Sequence, residues 1–233
     1  MTFDAALRTT EILLALAIIQ QSLEHMATPS QRRSFYLLRA ALCIALLLGV
    51  YTNWALGGMA ALSLIYLHRF QGPYNGGSDK MTILITWCLL LVHVMPNREL
   101  QQVVFGYLAV QLVLSYCVSG WVKVINPQWR SGQALGDVFA FSAYPVSEEF
   151  RNLANLPTLC LVMSWAVILF ELLFAISLVH QSTLIAALVI AAAFHLVNAC
   201  LFGLNRFFWI WLTAYPSLIW FQQHIVAPLL WNL

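Results

Sequence analysis

Charge is what this chain has least of: Asp, Glu, Lys and Arg make up 9% of its 233 residues, against about 25% in an ordinary soluble protein. That scarcity excludes a conventional water-facing surface. The excess of one sign is equally small. Eleven Lys and Arg against nine Asp and Glu leave a net charge of +2, and the longest basic run is the pair Arg32-Arg33, so no nucleic-acid footprint is expected. Cysteine is sparse as well. Cys43, Cys88, Cys117, Cys160 and Cys200 are odd in number, sit in or beside apolar runs and lack metal-ligand spacing. They read as small buried hydrophobes, with no metal expected. Neither an internal repeat nor a low-complexity tract is visible. An inverted-repeat transporter would show two similar halves with interrupted helices at matching places, so small-molecule transport ranks third among the functional readings.

What the chain does have is apolar side chain. The hydrophobic share is 61% and the mean hydropathy is +0.80, more than the core of a 26.2 kDa protein can bury. Lipid must cover the remainder. Strong apolar runs lie at about 35–51, 54–67, 81–95, 103–122, 157–179, 184–203 and 206–221, with a weaker one at 9–26. At about 20 residues per crossing, eight spans leave no room for a sizeable soluble domain. The expectation is an all-α, polytopic integral membrane bundle of seven to eight transmembrane helices, forming a single membrane domain over residues 1–233. In the weaker run, the apolar stretch Ile12 to Ile19 is preceded by Asp4 and Glu11 and followed by Gln20-Gln21, unlike a cleaved leader.

Breaks fall at Thr28-Pro29-Ser30, at Gly72 to Gly77, at Met95-Pro96-Asn97 and at Asn126-Pro127. The second and third runs meet at Thr52-Asn53 and the last two at Gly203 to Asn205, which predicts two tight helical hairpins. Residues 128–156 are too polar to span, yet they contain Trp129, Val138, Phe139 and Phe141. An interfacial or re-entrant segment is predicted there, and this stretch and residues 68–80 are where extended structure could form. If all eight runs cross, nine basic residues share one face and two the other. The positive-inside bias then puts residues 68–80 and 123–156 in the cytoplasm.

Several residues are not explained by lipid alone. Glu171 sits near the middle of its run, where a carboxylate costs several kcal/mol unless it is paired or protonated. His195 on the next run reaches similar depth and is the predicted partner, with Asn198 on the same helical face. Those three residues are either a polar clasp between helices or the lining of a site. Lys123 ends its run and is either a snorkelling lysine or a base held in a dry pocket. Arg130, beside Trp129, is a headgroup anchor or a substrate clamp. Asn75, Gly76 and Gly77 precede a helix whose first N–H groups Ser78 or Asp79 can cap, and that helix start is also a place to hold a polar ligand.

Asn75-Gly76-Gly77, Gly120-x-x-Lys123, Trp129-x-x-Gly132, Glu171 and Phe194-His195-x-x-Asn198 occur in that order between about residue 70 and Pro216. This ordered set resembles the horizontally transferred transmembrane (HTTM) domain family, whose best-known member is the membrane part of vitamin K-dependent gamma-carboxylase. The resemblance implies that Lys123 corresponds to the base that deprotonates a hydroquinone. It also implies that Glu171, His195 and Asn198 occupy family positions, and that a quinone or other prenyl lipid is the cofactor. Two departures stand beside it. Asn75-Gly76-Gly77 has no histidine nearby where the carboxylase carries an Asn-Asn-His stretch, and the positive-inside count places Lys123 at the cytoplasmic face whereas carboxylase chemistry faces the lumen. Short members of the family are associated with production of secreted toxic peptides. The favoured expectation is therefore an accessory factor in maturation, export or protection involving a peptide or protein partner, in a bacterial cytoplasmic (inner) membrane. The alternative is a quinol-dependent, carboxylase-like enzyme.

Overall fold

The structure, a computed structural model, describes residues 1–27, 33–69, 76–142 and 147–231. It is 92% helix, without a strand among the described residues. The α-helices are α1 (Phe3–Ala27), α2 (Arg33–Leu48), α3 (Thr52–Arg69), α4 (Gly76–Val94), α5 (Arg98–Ile125), α6 (Pro127–Arg130), α7 (Gln133–Phe141), α8 (Pro157–Leu173), α9 (Gln181–Phe202), α10 (Asn205–Phe221) and α11 (Ala227–Trp231). Turns of 3-10 helix occupy Glu148–Asn155 and Phe174–Val179, and a π-helical turn occupies Gln222–Val226.

Among the described residues, four segments are long and apolar enough to cross a bilayer: Gly77–Val94, Arg98–Ile125, Pro157–Val179 and Gln181–Phe202. The expected seven to eight crossings are not reached by this measure. Helices α2 and α10 have 16 and 17 residues, about 24–26 Å at 1.5 Å per residue against a hydrocarbon core of about 30 Å. Helix α1 is long enough but carries Asp4, Arg8, Glu11 and Glu24. Extended structure at 128–156 is also corrected, because α6, α7 and the first 3-10 turn fill most of that stretch.

The chain divides into two compact units. The first comprises Met1–Ala109 with Arg206–Phe221. Its helices α1 to α4 pack largely on their sequence neighbours, as short connections favour, around Leu14, Leu46, Leu56, Ile85 and Leu89, all fully buried. Phe3, Phe105 and Trp220 form a ring cluster with centroids 5.2–5.6 Å apart. The expected α2–α3 hairpin is present, turning at Gly49 with φ +72° and Tyr51 with φ +51°.

Charges in this unit tie helix ends together. The Arg8 guanidinium donates to the Leu46 and Leu47 carbonyls at 2.9 and 2.7 Å and to Glu11 at 2.8 Å. Those carbonyls close α2, where partners within the helix run out; that of Leu46 also accepts from the Gly49 amide at 3.1 Å. Glu11 in turn meets His93. Arg98 holds both oxygens of Asp4 and keeps that carboxyl below its usual pKa through this hydrogen bond. Removing the Arg8 head group with Arg8→Met should loosen the α2–α3 turn. At about 1–2 kcal/mol for charge-assisted bonds at a part-exposed site, the loss is readable as a lower midpoint of thermal unfolding in detergent.

The second unit comprises Val110–Asn205 with Gln222–Leu233. Asn126 caps α6 by accepting from the Gln128 amide at 2.9 Å, with Pro127 at the first helical position. From there the chain folds back: Leu135, Phe139 and Cys160 form a small core with Trp129, Leu153 and Met163 packed against it. Helices α6 and α7 and the Glu148–Asn155 turn thus pack on α8. Arg151 fixes the far end of this stretch, donating to the Ala140 and Ser142 carbonyls while pairing with Glu148. Cys43, Cys88 and Cys160 are buried as expected, but Cys117 is half-buried and Cys200 exposed.

Candidate functional site

The second unit gathers the candidate residues on one face of α5. Tyr116, Ser119, Gly120 and Lys123 follow at intervals of three, one and three, a helical stripe. Gly120 sets how closely the neighbouring helix can lie. A Cβ there would fall 2.8 Å from the Leu172 amide nitrogen and 3.0 Å from the Glu171 Cβ, so only hydrogen permits this crossing of α5 and α8.

The crossing delivers Glu171 to Lys123. The Lys123 Nζ donates to Glu171 Oε2 at 2.6 Å and to the Ser119 hydroxyl, while that hydroxyl donates to Glu171 Oε1 at 3.1 Å. Three groups therefore close a triangle. The side chains of Lys123 and Glu171 are 15% and 5% exposed, and Nζ also lies 5.3 Å from the centre of the Trp129 ring, within reach of its π face. Lys123 is thus turned inward, and its ammonium does not snorkel.

His195 is not the partner of Glu171, which corrects the pairing expected from depth alone. Its Nε2 lies 2.9 Å from the Tyr116 hydroxyl. Tyr116 stacks on Phe174 with centroids 4.2 Å apart and stands edge-on to Phe170, two residues that bracket Glu171. A lysine one turn along α5 offers the carboxylate an opposite full charge, which a neutral imidazole cannot match, and the imidazole takes the phenol instead. Replacing Tyr116 by Phe keeps the ring stack and removes one buried hydrogen bond. A loss of about 1 kcal/mol is expected, with a change in the His195 imidazole nitrogen NMR shifts as the specific readout.

The other sequence candidates are more scattered. Asn198 uses its main-chain carbonyl to accept from the Leu204 and Gly203 amides where α9 ends, and no hydrogen bond ties it to the Lys123–Glu171 pair. Arg130 is exposed; its carbonyl accepts from the Trp165 indole at 3.0 Å, while that of Trp129 accepts from Ser164. Gly132 has φ +80°, and a Cβ on it would fall 2.6 Å from the Leu161 nitrogen. Asn75 lies outside the described residues. Gly76 opens α4 in the first unit, and a Cβ on Gly77 would meet the Phe207 ring at 3.0 Å, so a side chain of the protein itself fills the close approach there. Asp79 turns to α1, where its carboxylate accepts from Gln21 at 3.3 Å. Two members of the site went unnoticed in the sequence, Ser119 and Tyr116. Their spacing of four and seven from Lys123 was the available signal.

A family model for the HTTM domain matches residues 90–223. The chain belongs to the HTTM domain family. With its four apolar helices, this makes it an integral membrane protein. No curated protein and no solved structure matches the chain. The HTTM match includes Lys123, Trp129, Glu171, His195 and Asn198 but begins after Asn75-Gly76-Gly77. No group of three or more His, Cys, Asp or Glu that could hold a metal ion occurs among the described residues. In this HTTM protein the chemistry available at Lys123 is acid–base: an ammonium, a hydroxyl and a carboxylate within hydrogen-bonding distance, flanked by aromatic rings.

Proposed function

We propose that this HTTM protein is a membrane accessory factor in maturation, export or protection involving a peptide or protein partner, and that the Lys123–Ser119–Glu171 triangle braces its helices. The observation that carries the reading is the engagement of Lys123. Its Nζ is committed to a carboxylate and a hydroxyl and lies near an indole face, so the resting amine offers no lone pair to a substrate. A base would need one. The likeness to short family members associated with secreted toxic peptides supports a peptide partner, and a bacterial cytoplasmic membrane is the proposed location.

Co-purification tests this. A partner should come down with the protein from its native membrane, and should still do so after Lys123→Met combined with Glu171→Leu, which exchanges the pair for apolar side chains. Loss of the partner only in the paired variant would overturn the bracing role; absence of any partner would overturn the accessory reading.

The enzyme reading keeps one specific support. At 2.6 Å, proton transfer from Nζ to Oε2 would leave a neutral amine among apolar helices, where a quinol or other prenyl lipid dissolves. That reading requires quinol turnover by the purified protein and its loss in Lys123→Ala.

A further inference from the structure

At the other end of α8 and α9 from Trp129, the second unit holds a cleft of about 450 Å³ lined by His180, Gln181, Gln222, Gln223, Ala227 and Trp231. Its size falls within the usual range for small-ligand sites, about 300–1,000 Å³. Three elements build it. The 3-10 turn Phe174–Val179 ends in His180, whose Nδ1 accepts from the Ser182 amide and caps α9. Opposite lies the π-helical turn Gln222–Val226, a rare geometry that occurs mostly as single turns and is frequent at functional sites. Helix α11 follows it. Two bonds pin these parts together: Gln222 donates to the Leu178 carbonyl at 3.5 Å and the Trp231 indole to the Val179 carbonyl at 3.3 Å. Gln222, only 2% exposed, forms the floor.

The chemistry of the lining is narrow. It presents three carboxamides, an imidazole and an indole, with no Asp, Glu, Lys or Arg. From Leu172 to residue 233 the sole residue of those four types is Arg206, which belongs to the first unit. Phosphate and carboxylate ligands are bound most strongly by charged donors, so this cleft is built for neither. Sugar hydroxyls gain most from carboxylate acceptors, also missing. A carboxamide offers both N–H donors and a carbonyl acceptor, which is the complement of a peptide main chain. The elements that build the cleft also carry exposed apolar side chains: Ile176, Val179, Leu229 and Leu230 are between 45% and 63% accessible.

We propose that this cleft binds a short uncharged peptide segment with apolar side chains, its main chain bonded to Gln181 and its side chains against Ala227 and Trp231. The inference deepens the peptide-partner reading and rests on it, because it says where such a partner makes contact.

The test is photo-crosslinking of the whole protein in lipid nanodiscs with a capped alanine–leucine–alanine tripeptide whose leucine carries a diazirine. Labelling should concentrate on residues 180–181 and 222–231 and should be competed by the unlabelled peptide. Ala227→Trp, which fills the cleft, should reduce it to background. Gln181→Leu, an exposed change that spares folding, should lower apparent affinity about fivefold, the equivalent of one lost hydrogen bond. Labelling spread evenly over lipid-facing helices, or unchanged in both variants, overturns the proposal. So does stronger labelling of the cleft by a diazirine phosphatidylcholine that the peptide fails to displace. The two ideas fail separately. If a native partner still co-purifies with Ala227→Trp, the cleft assignment falls and the accessory reading stands; if no partner is recovered with any form, the accessory reading itself falls.

Discussion

Replacing Lys123 by alanine should cost the folded protein about 3 kcal/mol, the lower end of what breaking a buried ion pair costs, and Glu171→Ala somewhat less, about 2–3 kcal/mol. The two losses differ because the survivors differ. A lone Glu171 on α8 is 5% exposed and keeps only Ser119 as a partner, although taking up a proton would relieve part of its penalty. A lone Lys123 lies near the end of α5 at 15% exposure and can reach for the interface on its flexible stem. Replacing both at once, Lys123→Met with Glu171→Leu, should cost less than either single change, since a well-packed apolar pair often equals or exceeds a buried ion pair in stability. Chemical denaturation in mixed micelles of the four proteins gives the coupling energy. Additive losses would mean that the two side chains do not form one unit.

The second large effect belongs to Gly132→Ala. Gly132 adopts φ +80°, costing a non-glycine residue about 1 kcal/mol, and the added Cβ would lie 2.6 Å from the Leu161 nitrogen and 2.7 Å from its Cα. Both contacts are with main chain, so no side chain can swing away to make room. Overpacking of this kind costs about 1–3 kcal/mol, for a total of about 2–4 kcal/mol. The damage should be local. Helix α7 rests on α8 through Leu135, Phe139 and Cys160, so hydrogen exchange at Gln133–Phe141 should quicken by orders of magnitude while α9 stays protected. Unchanged exchange at α7 would show that the chain at Gly132 need not pass so close to α8.

The extent to which the site was readable from sequence follows from what each signal encodes. Low charge and apolar runs report helices and lipid, and those expectations match the four apolar helices and the all-helical fold. They do not report crossing number, because α2 and α10 are as apolar as a span but too short, and α1 is long but charged. Gly120 and Gly132 were legible as part of an ordered pattern, whereas their reason, main-chain approach of α8 at Leu172 and at Leu161, depends on tertiary geometry. The depth argument drew Glu171 to the wrong partner, since Glu171 meets Ser119 and Lys123 while His195 meets Tyr116. Counting residues from a turn fixes height along a helix axis but not the rotation of a third helix, and α5 supplies Lys123, Ser119 and Tyr116 by that rotation. Many charges that the positive-inside count treated as markers of membrane side have partners within the first unit, such as Arg8 with the α2 carbonyls and Arg206 with Glu24 and His25.

The central claim is that Lys123 and Glu171 form an ionised brace and not a standing base beside a neutral acid. Infrared difference spectroscopy of the protein in nanodiscs, wild type minus Glu171→Gln at neutral pH, addresses it directly. The account predicts that the substitution removes a carboxylate stretching band and leaves the protonated-carboxyl region flat, in ordinary and in deuterated water alike. Loss of a protonated-carboxyl band in that difference spectrum would contradict the account, because Glu171 would then be a neutral acid and the pair would not be an ionised one.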